Sequence, residues 1–188
     1  MKRSGLALAV AVGTLLQLTA PQTSIAGDMG GMSSMGGMSG MGGMSGTGGG
    51  PTPAVTQIQN VKPLEVAKAN KLGTMRNPYT DNPERIEEGK KLYFSYSCNG
   101  CHGGGGGGGM CPPLTNDTWV YGSDDDILFR LIAQGSQDMT KEHGMKRKGQ
   151  EGVVGPMPPF GELIKTDDEL WKIIAFVHSL YKGTRRNW

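Results

Sequence analysis

Cys98-Asn99-Gly100-Cys101-His102 is the stretch from which the fold and chemistry of this chain follow. Two thiols separated by two residues lie on one helical turn. Each can therefore add to a vinyl group of a haem, and the imidazole that follows then points at the iron. The pattern is the covalent attachment site of haem c. Because five matching letters can arise by chance, an export signal before the motif and a second iron ligand after it are needed to support it.

The second iron ligand is predicted to be Met157, in Gly155-Pro156-Met157-Pro158-Pro159-Phe160. A thioether binds iron weakly, so it must be held in place by the fold, and the flanking prolines stiffen this loop. Met139 and Met145 lie in a polar stretch without such stiffening. Met110 is too close in sequence to the proximal histidine to reach the opposite face of a haem.

Two further histidines follow the motif. His143 could in principle ligate iron, but we interpret it as a solvated loop residue. His178 lies on the last predicted helix, where we expect it at the surface or partly packed. Neither is preferred to the methionine.

The first 26 residues have the pattern of a signal peptide. The chain begins Met1-Lys2-Arg3, continues with an apolar run at 6–18, and reaches Ser24-Ile25-Ala26, a small-x-small site. The 13-residue run is shorter than the ~20 residues of a membrane-spanning helix. We therefore expect cleavage near Ala26, a periplasmic protein, and no membrane span in the mature chain.

Charge argues against one class of function. The chain has 19 basic and 17 acidic residues. Removal of Lys2 and Arg3 with the signal peptide leaves 17 of each. Nucleic-acid binding, which needs a basic footprint, therefore has no support.

Residues 27–53 are rich in Gly, Met and Ser and have almost no charge. Such a segment buries too little apolar surface to offset its ordering entropy, so we predict a disordered linker. Its methionines recur at every third position from Met29 to Met44. Because thioethers suit Cu(I), a copper-handling role is an alternative.

We predict an extended lead-in over 54–80, with little indication of a helix at 63–72, and a haem-binding domain over 81–188. Within that domain one helix runs from Pro83 to about Tyr96. Another helix follows the acidic run 123–126 and ends at Gly135. We interpret the acidic run as stabilising the helix dipole rather than as a metal site. The last helix begins at 166–169. No alternating strand pattern occurs, so the domain is predicted to be all-α with long loops.

Two features close to the motif leave alternatives open. Seven glycines at 103–109 form a loop that is free to use positive φ and to approach a flat ligand, or else a slack surface loop. Gly103 is the glycine we expect to be constrained. Cys111 has no partner if the two motif thiols become thioethers. It is either a small buried thiol or a reactive thiol that forms an intermolecular disulfide.

Residues 83–183 resemble a class I c-type cytochrome, in which three to five helices surround one covalently bound haem. Cys111-Pro112-Pro113-Leu114 is similar to the turn behind the proximal ligand in that family. The resemblance implies that the carbonyl of Pro112 accepts a hydrogen bond from His102, and that Leu114 packs on the haem face. It also implies that the first and last helices cross at Gly89 with Tyr93 and at Ile173 with Phe176.

A narrower resemblance is carried by Leu114-Thr115-Asn116-Asp117-x-Trp119-x-Tyr121, by 126–129 and by Gln134-Gly135. These stretches are similar to cytochrome c-L and related acceptors of electrons from PQQ-dependent methanol or alcohol dehydrogenases. The resemblance implies that Trp119 and Tyr121 line the propionate edge of the haem. An ordinary aromatic core is the alternative.

The function expected is that of a one-electron carrier and not an enzyme. Its donor would be a PQQ-dependent dehydrogenase, and its acceptor a terminal oxidase or another cytochrome. Lys146-Arg147-Lys148 is a candidate steering patch for such partners, or simply a solvated charge run. Besides copper handling, the alternative is a haem enzyme or gas sensor with an open iron.

Overall fold

Helices are the only regular elements in the part of the chain that the structure describes. The structure is a computed structural model and describes residues 54–148 and 155–185. The predicted signal peptide and the Gly/Met-rich segment, with its copper alternative, lie outside these ranges. The helices are α1 Pro63–Ala69, α2 Pro83–Ser95, α3 Cys98–His102, α4 Asp125–Gln134, α5 Ser136–Lys141 and α6 Asp167–Leu180. The prediction of an all-α fold is confirmed. Within the described ranges, none of the helices is long and apolar enough to cross a membrane.

The two longest helices begin where the sequence predicts. Asn82 precedes α2 and accepts a hydrogen bond from the backbone N–H of Arg85 at 3.1 Å, and Pro83 occupies the first helical position. Thr166 precedes α6 and accepts from the N–H of Glu169 at 3.3 Å.

α2 and α6 pack against each other along one face, as the family resemblance implies. The backbone of α6 passes close to Gly89, and the ring centroids of Tyr93 and Phe176 are 5.2 Å apart in an edge-on arrangement. The core extends from this crossing to Trp171 and Phe129, whose ring centroids are 4.4 Å apart.

The lead-in is not simply extended, because it contains α1. Pro63 begins this helix, and Val66 and Ala67 on its inner face are buried against the core. Met75, further along the lead-in, is also buried. A seven-residue helix has too short a periodic pattern to stand out in the sequence and is stabilised mainly by its tertiary contacts. The five other described helices, α2 to α6, lie in the predicted haem-binding domain and agree with the expected three to five.

The acidic run at the start of α4 does more than complement the helix dipole. Asp125 accepts a hydrogen bond from the N–H of Asn77 at 2.9 Å, and Asp126 accepts one from the N–H of Met75 at 3.3 Å. Asp126 also pairs with Arg130 at 2.9 Å, with both side chains buried. The two carboxylates therefore tie the lead-in to α4.

Met139 is buried, although its sequence neighbours are polar. It lies in α5, is 0% exposed, and packs with Tyr121 and Ile127 in a second, smaller apolar cluster. The stretch has none of the prolines that flank Met157, and it is the short α5 that turns the side chain of Met139 inward.

Candidate haem site

His102 is the last residue of α3, and its ring is oriented by the chain that follows. Its Nδ1 lies 2.9 Å from the carbonyl oxygen of Pro112. A carbonyl only accepts, so Nδ1 carries the proton and Nε2 is the nitrogen left to bind a metal. Burial lowers the pKa of His102 and outweighs the opposing effect of this hydrogen bond. The neutral imidazole is the form that ligates metals.

His102 and Met157, 55 residues apart in the chain, both line one cavity of about 440 Å³. Apolar side chains including Val120 and Leu131 form part of its wall, together with Pro112. The structure thus brings the predicted proximal and distal ligands to the same space.

The residues around this cavity fit a haem. Its volume falls within the ~300–1,000 Å³ of typical cofactor clefts. The described lining residues include two cations, Lys141 and Arg147, and no carboxylate, which suits the two propionates of a haem. An imidazole and a thioether are the ligand pair that holds iron in many electron-transfer haems. Haem c bound here would supply an iron that can gain or lose one electron.

The Met157 loop runs along the C-terminal end of α4. The N–H of Phe160 donates to the carbonyl of Ile132 at 2.8 Å, and the N–H of Gly161 donates to that of Ala133 at 3.0 Å. These bonds hold the loop that the prolines stiffen.

A family model described as "Cytochrome c" matches residues 86–181, about half of the chain. The chain belongs to the cytochrome c family. Membership implies a covalently bound haem c, and the only Cys-x-x-Cys-His motif of the sequence, at 98–102, falls within the match.

Relatives within the family include cytochrome c-L of Methylorubrum extorquens, 29% identical over 116 residues, which make up 62% of this chain and 50% of that protein. The Cbb3-type cytochrome c oxidase subunit CcoP of Helicobacter pylori is 30% identical over 101 residues, 54% of this chain and 30% of that one. The crystal structure of cytochrome CL from Methylophaga aminisulfidivorans has 28% identity and a TM-score of 0.42, covering 57% of this chain and 61% of that one. This cytochrome spans half or less of the length of these two curated relatives.

Cys98 and Cys101 lie on α3 with His102, as attachment to one haem requires. Cys98 packs against the main core, and burial raises the pKa of its thiol to about 11. Neither thiol is among the described residues that line the cavity, whereas His102 at the end of the same helix is. Their role as attachment points stays a prediction of the motif.

The aromatic residues after the motif have different surroundings. Tyr121 lines the cavity. Trp119 does not: its indole N–H donates to the carbonyl of Leu114 at 3.1 Å, and its ring stacks on His178 with centroids 5.7 Å apart. Leu114 packs at the edge of the main core rather than in the described lining. For Trp119 and Leu114, direct contact with the haem stays a prediction.

The expectation that His178 lies at the surface or is partly packed is wrong, because the residue is buried. The residue is only 4% exposed, and its Nε2 lies 2.8 Å from the carbonyl of Ser123. His178 flanks the apolar face of α6, one helical repeat after buried Trp171, and the 119–123 segment covers its remaining side. Burial lowers the pKa of His178, although Asp125, 3.4 Å away, acts in the opposite direction.

Three positions of the glycine run are constrained. Gly103, Gly106 and Gly108 have φ of +80°, +71° and +94°. The carbonyl of Gly103 accepts from the hydroxyl of Tyr93 at 2.7 Å, and that of Gly106 accepts from the N–H of Leu114 at 2.7 Å. The use of positive φ is thus confirmed. The two hydrogen bonds join the glycine loop to α2, which precedes α3, and to Leu114, which follows the loop.

Cys111 has the environment of a structural thiol. It is 8% exposed, and its N–H donates to the carbonyl of Cys101 at 3.3 Å. Burial, with a hydrogen bond to the thiol of Cys101, raises the pKa of Cys111 to about 12. This favours the buried-thiol interpretation over a reactive cysteine.

Proposed function

We propose that this cytochrome is a periplasmic one-electron carrier whose single haem iron is ligated by His102 and Met157. The observation that carries the proposal is that both side chains line one cavity, with the imidazole fixed by the carbonyl of Pro112. Ligation on both sides occupies the iron and leaves no position for a substrate, which suits electron transfer. A methionine in the second position also raises the reduction potential.

The donor we propose is a PQQ-dependent alcohol or methanol dehydrogenase, and the acceptor is a terminal oxidase or another cytochrome. The relationship to a protein named cytochrome c-L supports the donor. The relationships to two proteins named as subunits of Cbb3-type cytochrome c oxidases support the acceptor.

The docking surface we propose includes the basic run at 146–148. Lys146, Arg147 and Lys148 are exposed, and Arg147 also lines the haem cavity. The run therefore lies beside the proposed haem cavity, where a steering charge would act on productive encounters.

Ligation is tested by the absorption spectrum and reduction potential of the oxidised holoprotein. We expect the methionine-to-iron charge-transfer band in the wild type. Met157→Ala should abolish it and lower the potential. Met110→Ala, at a methionine that is 72% exposed, is the matched control and should change neither. A wild type without the band would favour an enzyme or gas sensor with an open iron.

Partnership is tested by rapid mixing with a reduced PQQ-dependent methanol dehydrogenase. We expect haem reduction on the timescale of dehydrogenase turnover. Replacing Lys146 and Lys148 by Gln should slow it at low ionic strength, and the difference should shrink as salt is added. No reduction by this donor would refute the partnership while leaving the ligation result untouched.

A further inference from the structure

Both backbone polar groups of Met157 are bound by one residue, Ser136. The N–H of Met157 donates to the hydroxyl oxygen of Ser136 at 3.0 Å. In return, the N–H of Ser136 donates to the carbonyl of Met157, also at 3.0 Å. Any residue except proline at position 136 could make the second bond, but the first needs a side-chain acceptor such as the serine hydroxyl.

The hydrogen bond from Met157 to the hydroxyl of Ser136 is the only one that a backbone N–H of residues 156–159 can donate. Pro156, Pro158 and Pro159 have no N–H, so Met157 carries the only backbone donor between positions 156 and 159. Without the hydroxyl of Ser136, that donor loses its partner.

The turn that carries Ser136 touches the loop directly. Gly135 joins α4 to α5 with φ of +82°, and a Cβ at this position would lie 2.9 Å from the carbonyl oxygen of Met157. The α4–α5 turn therefore packs closely against the backbone of Met157.

A second cavity also borders this loop. It has a volume of about 490 Å³ and is lined by residues of α1, including Leu64, and of α5, including Gln137. Pro156 and Met157 line both this cavity and the haem cavity. The loop thus borders two cavities, and Met157 also packs at the edge of the main core.

We propose that Ser136 is a positioning residue that holds Met157 toward the haem and sets how readily its thioether is displaced from the iron. The proposal rests on the proposed ligation by Met157. A weak metal–thioether bond depends on its outer contacts for orientation, and these two hydrogen bonds supply them at the ligand's own backbone.

The test is a titration of the oxidised holoprotein with imidazole, followed by loss of the methionine-to-iron charge-transfer band. Removal of one hydrogen bond corresponds to about a five- to tenfold change in an equilibrium constant. We therefore expect Ser136→Ala to bind imidazole about five- to tenfold more tightly than the wild type. Ser136→Thr, which keeps the hydroxyl, should restore most of the wild-type affinity.

Asp138→Ala is the control for general loosening of α5. It removes an acidic residue from the first turn of that helix and no bond to the Met157 loop. An unchanged imidazole affinity in Ser136→Ala would overturn the proposal, as would an equal change in Asp138→Ala. A wild type that lacks the charge-transfer band would instead refute the ligation itself, so the two failures are distinguishable.

Discussion

The carbonyl oxygen of Lys172 in α6 lies 1.9 Å from the place that a Cβ would occupy on Gly89 in α2. Because real Cβ atoms do not approach oxygen so closely, the two helices cross at a distance that only glycine allows. Tyr93 and Phe176 pack edge-on beside this crossing. The contact of the two helix backbones is thus what positions α3 and its motif, which follow α2 directly.

Gly89→Ala should destabilise the holoprotein. Alanine improves helix propensity by ~1 kcal/mol, but overpacking against a backbone carbonyl costs ~1–3 kcal/mol or more because the helices must separate. We expect a net loss in the free energy of unfolding measured in denaturant. Gly100→Ala in α3 is the control, since its Cβ would meet nothing within 4 Å. Equal stability of the two variants would contradict the close crossing.

Local features of the sequence predicted much of this site. The attachment motif, the caps at Asn82 and Thr166 and the proline-stiffened Met157 loop all lie within short stretches, where spacing determines geometry. The burial of His178 and the contact of Ser136 with Met157 depend on segments 21–55 residues away in the chain. No local pattern encodes such contacts. The same reason explains α1, whose stability comes from its neighbours in space.

Arg130 makes contacts of this non-local kind, although its buried ion-pair partner, Asp126, lies only four residues away in α4. The guanidinium of Arg130 also donates to the carbonyls of Ala67 and Asn70 at the end of α1. Arg130→Met should lower the free energy of unfolding by ~3–5 kcal/mol, because it leaves the charge of Asp126 buried without its partner.

Arg85→Met is the matched control for this pair. Arg85 pairs with Glu88 at 2.9 Å, but both side chains are about one-third exposed. Exposed pairs contribute only ~0–1 kcal/mol, so little change is expected. Comparable losses in the two variants would argue against a structural role for the buried pair.

Stability should fall in acid because of a cluster around Lys172. Its ammonium lies 2.7 Å from Glu88 and 2.8 Å from Asp168. Hydrogen bonds from Lys172 and Arg85 lower the pKa of Glu88. Burial opposes ionisation of Asp168, but hydrogen bonds from Lys172 and Tyr79 outweigh it and lower its pKa as well.

Carboxyls with lowered pKa stabilise the fold above their ordinary values, near pH ~4, and this contribution is lost as the pH falls through the lowered values. Lys172→Met should therefore be less stable at neutral pH and lose less on acidification below pH ~4. Lys91→Met, at an exposed position of α2, should keep the wild-type profile. Denaturant titrations across the acid range measure both, and a wild-type slope in Lys172→Met would contradict the assignment.

The thiol of Cys111 should be protected from alkylation in the native holoprotein. It is buried, and burial raises its pKa, so that little thiolate is present at neutral pH. Treatment with iodoacetamide should give no mass increase in the folded protein and one carbamidomethyl group after unfolding, because Cys98 and Cys101 are then held as thioethers. Cys111→Ser is the control and should remain unlabelled in both states. Labelling of the native protein, or a disulfide-linked dimer on a non-reducing gel, would instead support the reactive thiol that the sequence alone left open.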